Sequence, residues 1–228
     1  MRIPRQLIGI SALALATLVA GFRVDASVPT GQVIDFLITR DHAAIGRHVL
    51  DIHRRGGDLH IDIAIDIEIN MLFVNLFAYK HRSHEVRRDG RLVSLDARTD
   101  DDGTTYWVTA KVTPTGLDVA GSGGRFTAPL DTLTTGYWSY ETVGKSRLLD
   151  SQHGRLVDVR ISPMGQERIA TASGTVPSRR YEVDGDLELT LWYSPDGQWL
   201  KTAFVARDAE VEYLLRTGAA PARLAEAN

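Results

Sequence analysis

The sequence predicts an all-β fold, mainly antiparallel, of about ten strands with one or two short helical segments. Three observations predict it. Apolar residues recur at every second position, the period of a strand with one buried face. Asp-Gly pairs at 89–90, 102–103, 184–185 and 196–197 punctuate these runs, and glycine there supplies the positive φ of tight hairpins. No βαβ alternation occurs, so consecutive strands are expected to pair antiparallel.

The elements follow in chain order. Residues 1–26 read as a signal peptide. Arg2 and Arg5 form a basic head, "LIGISALALATLVAGF" is apolar, and Val24 and Ala26 occupy the −3 and −1 places of a cleavage site. The apolar run is shorter than the roughly 20 residues that cross a bilayer, so a periplasmic or secreted protein without a membrane span is expected after cleavage. Val33–Thr39 is the first strand, with Ile34, Phe36 and Ile38 on one face, and Ala44–His53 is the second. "RRGGD" turns the chain into His60–Asn70, where isoleucines at 61, 63, 65, 67 and 69 make one apolar face. Met71–Arg88, Arg91–Arg98 and Thr104–Thr113 continue the series. Thr132–Leu149 is the stretch with helical character, which Gly136 and Gly144 weaken. "WYSPDGQW" is a hairpin that brings Tyr193 and Trp199 together; Thr202–Val205 and Glu210–Leu215 finish the sheet. Residues 27–216 are thus read as a single antiparallel β domain and 217–228 as a loose C-terminal tail.

Composition narrows the function. The 228 residues include no cysteine, which excludes disulfides and thiol chemistry. The formal net charge is −3, and loss of Arg2, Arg5, Arg23 and Asp25 with the signal peptide makes it −5. Such a chain has no bulk attraction for nucleic acid or anionic lipid.

The polar constellations do not assemble a familiar site. Asp62 and Asp66 share a strand face but lie roughly 13 Å apart, too far to grip one ion, so the acids are expected on a solvated outer face. "RTDDDG" fails as a calcium loop, because Arg98 stands where its first Asp belongs. The seven histidines show no HExxH spacing, and neither GxSxG nor a phosphate-binding glycine loop is present. No metal and no cofactor are expected. One strand changes character along its length. Its odd face carries Phe73, Phe77 and Tyr79, then His81, Ser83 and Glu85, a greasy wall leading to a polar mouth. Trp138 is available to stack on a ligand.

Several phrases resemble a family of uncharacterised bacterial exported proteins, known as a domain of unknown function. They are "AIGRHVLDI", "FAYKHRSHEVRRDGRLVSLDARTDDDG", "YWSYETVGKSRLLDSQHG" and the ending "RRYEVDGDLELTLWYSPDGQWLKTAFVARDAEVEYLL". The resemblance covers most of the chain after residue 26 and implies no activity. The long strands and the "RYEVDGD…LWYSPDG" ending are also remotely similar to the lipoprotein-carrier-like β class. That likeness implies a strongly curved sheet or half-barrel, with helical segments over a concave side that holds acyl chains or other apolar groups. The expected function is binding of an apolar or lipid-like small molecule in that concavity, with Phe73, Phe77, Tyr79, His81, Glu85 and Trp138 as ligand-binding candidates. Two alternatives stay open: an enzyme with a small polar site at the mouth, built from Tyr79, His81, Glu85 and Trp138, or a structural envelope protein with a packed interior. Catalytic residues and oligomeric state are not legible.

Overall fold

Period-two patterning builds long hairpins, and the computed structural model describes them over residues 31–71, 74–171 and 174–217. The expected signal peptide, Phe73 and the tail from Gly218 onward lie outside the described residues. Eight strands form the first meander: β1 (Gln32–Arg40), β2 (Ala43–Arg55), β3 (Asp58–Met71), β4 (Val74–Arg88), β5 (Arg91–Asp101), β6 (Thr104–Thr113), β7 (Gly116–Gly121) and β8 (Gly124–Ala128). Seven follow: β9 (Leu133–Thr134), β10 (Arg147–Asp150), β11 (Arg155–Thr171), β12 (Gly174–Gly185), β13 (Leu189–Tyr193), β14 (Trp199–Ala206) and β15 (Ala209–Thr217). All fifteen join one sheet, antiparallel except for the short β9–β10 pair.

Local chemistry sets the turns. Asp89 and Gly90 both take positive φ (50° and 76°), as do Asp102 and Gly103 (52° and 88°), the backbone that a two-residue hairpin needs. Tyr193 pairs with Trp199 across the expected 194–198 turn. On β3 the isoleucines at 61, 63, 65 and 67 are buried and the acids face outward. Those acids meet basic partners on β4: Asp58 with Arg88, Asp62 with His84 and Asp66 with Arg82, at 2.6–2.8 Å.

The strand count exceeds the expected ten because several strands lack alternation. β9 and β10 span two and four residues, and β7 and β8 are short and begin and end on glycine or alanine. In β11 the half beyond Ile161 is largely exposed and bends at a bulge between Pro163 and Gly165, so no apolar period marks it. The helix expected near 132–149 is reduced to a single 3₁₀ turn, Tyr140–Gly144. Tyr137 sits at φ +54°, which ends any right-handed helix there, and the flanking residues pair as β9 and β10 instead.

Topology then makes the concavity. β15 returns to pair with β1, so the first and last strands lie side by side in the middle of the sheet. Its edges, β8 and β9, are joined by residues 129–132 alone, and the sheet curls until the limb of β5–β8 meets β10 and the turn that follows it. Glycine permits the closest approach: a Cβ on Gly123 would lie 2.5 Å from the Gly154 carbonyl oxygen. Leu149 of β10 completes a small core with Leu92, Leu95, Val108, Leu117 and Val119 on the opposite limb. The larger core joins β1–β3 to β11–β15, and residues 133–143 pack into it. The Tyr193 hydroxyl donates to the Tyr137 carbonyl at 2.8 Å, tying that inner segment to the wall.

Candidate functional site

β4 supplies the axis of the site. Its inward residues are Phe77, Tyr79, His81, Ser83, Glu85 and Arg87; the first two are half-buried and the other four buried. The apolar end is half-buried and the polar end fully enclosed, the reverse of a greasy wall opening on a polar mouth. The curl of the sheet explains it, since the segment 129–146 covers the end of β4 that carries Glu85.

Beside Phe77 and Tyr79 the interior is hollow. A cavity of about 390 Å³ is walled by Ile45, Ile65, Ile67 and Ile69 on one side and by Phe204, Val211 and Tyr213 on the other. Tyr137 and Trp199 lie at its base, and Leu187 and Leu189 close its flank. The isoleucines of β3 therefore do more than pack: their upper members line open space. That volume falls within the roughly 300–1,000 Å³ of small-molecule sites.

His48 is a buried polar group of this mainly apolar cavity, which Thr135, Gln152 and Thr202 also line. It lies on the inner face of β2, 4 % exposed, with its ring 5.4 Å from Trp199 and 5.6 Å from Tyr213, edge-on to both. Neither ring nitrogen has a partner among the described residues. Burial, helped by nearby His81, pushes its pKa down to about 3, so it is neutral at physiological pH. Arg40, Arg207 and Glu188 also line the cavity; Arg207 and Glu188 are exposed to solvent, and Arg40 is half-buried beside Arg207.

The candidates named by sequence separate into three groups. Phe77 and Tyr79 line the cavity. His81 sits deeper, its Nδ1 2.9 Å from the Thr99 hydroxyl, which in turn donates to the Gln152 carbonyl at 3.3 Å. Burial pushes its pKa down to about 4, with Asp150 opposing the shift. Glu85 and Trp138 belong to an interior clamp. The Glu85 carboxylate accepts from the Thr134 hydroxyl at 2.5 Å and from Arg87 Nε at 3.2 Å, and the Arg87 guanidinium lies 5.1 Å from the Trp138 ring centre. His81 and Glu85 thus have separate partners and do not share a cleft, which leaves the polar-mouth arrangement without its geometry. Phe73 lies outside the described residues.

Sequence reasoning missed His48, Arg40, Arg207, Phe204 and Tyr213. The signal for His48 was present: it is the polar residue on the face that Leu50 and Ile52 share. The others join the site only because β15 pairs with β1. Among the described residues, no three His, Asp or Glu side chains converge to hold a metal ion.

Residues 36–216 match the family described as "Domain of unknown function (DUF6134)". The fold is similar to the crystal structure of a beta-barrel-like protein of domain of unknown function DUF1849 from Brucella abortus. The TM-score is 0.60 at 13 % identity, covering 85 % of this chain and 99 % of that one. At that identity the likeness concerns fold alone. No curated protein matches the sequence.

Proposed function

The chain belongs to the DUF6134 family, whose description names no activity, and from its cavity we propose that it binds an apolar, lipid-like small molecule inside the curled sheet. The observation that carries this reading is the hollow itself. A structural protein of this size gains stability by packing its apolar side chains together, whereas those of this chain stay apart around a space that opens to solvent. Here isoleucines and aromatics from both limbs are held apart around about 390 Å³. The export signal read at residues 1–26 places the protein, in this proposal, in the periplasm or outside the cell, where free apolar molecules need a carrier. The remote likeness to lipoprotein carriers supports the same reading at the level of fold.

The neutral dye N-phenyl-1-naphthylamine tests it. Its fluorescence is expected to rise on binding with about one site per chain, and Ala206→Trp, which places an indole in the cavity wall, is expected to weaken binding at least tenfold, about 1.4 kcal/mol. Circular dichroism and the thermal midpoint of the variant check that the sheet is retained. A folded variant that binds dye as tightly as the parent removes the cavity from the account.

A further inference from the structure

We infer that the cavity selects a single-chain amphiphile with an anionic head, held at the rim by Arg40 and Arg207 while its chain enters between Phe77 and Tyr213. The inference rests on the cavity reading above and adds the chemistry of the ligand's head.

The rim is built by the two ends of the chain. Arg40 closes β1, and Arg207 lies in the turn between β14 and β15, at φ +51°. Arg40 Nη2 donates to the Arg207 carbonyl at 3.3 Å, so the β1–β15 pairing brings the two residues together. The Arg207 guanidinium lies 4.9 Å from the ring centre of Phe77, which orients it over the cavity wall. Both arginines line the cavity.

Their charge is unclaimed. Several arginines on this sheet are matched to acids, as in Arg47–Asp35, Arg82–Asp66, Arg88–Asp58 and Arg147–Asp158, while others, such as Arg168 and Arg179, donate to a carbonyl or a hydroxyl instead. Among the described residues neither Arg40 nor Arg207 has a carboxylate partner. Glu188 is the one acid among the residues that line the cavity, and no ion pair joins it to either arginine; Asp41, Asp208 and Glu210 lie in or beside the adjoining turns, outside the lining. With His48 at the floor and isoleucines between, the lining grades from cationic rim to uncharged base. A guanidinium fork fits carboxylate or phosphate oxygens in two parallel hydrogen bonds, and a nearby apolar wall strengthens that contact by excluding water.

Dimensions favour one chain. Arg40 and Phe36, the partner of His48 in register, are four residues apart on β1, roughly 13 Å at about 3.4 Å per residue. A volume of about 390 Å³ lies at the small end of ligand sites, which suits a single tail.

The test uses displacement of N-phenyl-1-naphthylamine from the purified protein by dodecanoate, dodecyl phosphate, dodecanol and dodecyltrimethylammonium, all below their micellar concentrations. Dodecanoate or dodecyl phosphate is expected to displace the dye at concentrations at least tenfold lower than dodecanol, with the cationic amphiphile weakest. Whichever anion leads identifies the head as carboxylate or phosphate. The Arg40→Gln/Arg207→Gln double variant is expected to erase the preference and leave dodecanol unchanged. If dodecanol displaces the dye as well as both anions do, the charged-head inference falls and the cavity reading stands. If none of the four displaces it, both fall.

Discussion

Replacing Glu85 by alanine is expected to lower the unfolding free energy by about 3–5 kcal/mol, the usual cost of stranding one member of a buried ion pair. Glu85 is fully buried and Arg87 is 3 % exposed, so water cannot take over the arginine's charge. Arg87 would keep the Gly90 carbonyl at 3.3 Å and the face of Trp138, which neutralise no charge. The same substitution frees the Thr134 hydroxyl, and with it the anchor of the inner segment to β4. Urea unfolding of both proteins measures the difference. The double replacement Glu85→Ala/Arg87→Met is expected to recover most of it, because no isolated charge then remains inside. A loss below about 1 kcal/mol for the single variant would show that the clamp does not hold the fold.

Acid is expected to destabilise the fold well above the carboxylate range, through His48 and His81. Both are neutral and buried, with pKa values pushed down to about 3 and about 4 from an unfolded 6.5. Between those limits the unfolded chain binds protons that the folded chain refuses, so stability falls as pH drops below 6.5. Each histidine contributes about 1.4 kcal/mol per pH unit in that window, about 4 kcal/mol for the pair by pH 5. A third histidine acts the other way. The hydrogen bond with Asp150 holds His153 above its ordinary value, so its contribution is present at low pH and fades as pH rises through the folded value. Urea midpoints at pH 7 and pH 5 test the prediction, and His48→Phe should lose about half of the parent's change. Equal stability of the parent at both pH values would contradict it.

How much of this was legible can be traced to particular residues. The isoleucines of β3 announced a buried face because β3 lies mid-sheet, paired to β2 and β4 at its edges, with one face dry and the other carrying the acids. Phe77 and Tyr79 were readable for the same reason. β11 was not, because its distal half is largely exposed and leaves no period in the sequence. The clamp of Glu85 was hidden by its partner: Thr134 is 49 residues away and reaches it only through the inward path of the 129–146 segment. The rim was hidden more deeply still, for Arg40 and Arg207 are 167 residues apart and meet only where β15 docks on β1. Periodicity reports which side of a strand is dry; it carries no register between distant strands, and the cavity is a consequence of that register.

The central claim, that the hollow between β3 and β15 is a ligand site, is tested most directly by native mass spectrometry of the protein taken from the cells that naturally make it. The account predicts a population carrying one added mass, released by organic solvent and seen in negative-ion mode as a single-chain anionic amphiphile, and predicts that Ala206→Trp abolishes that population. Protein that flies consistently at its own mass alone, under conditions gentle enough to retain a known carrier's lipid, would contradict it.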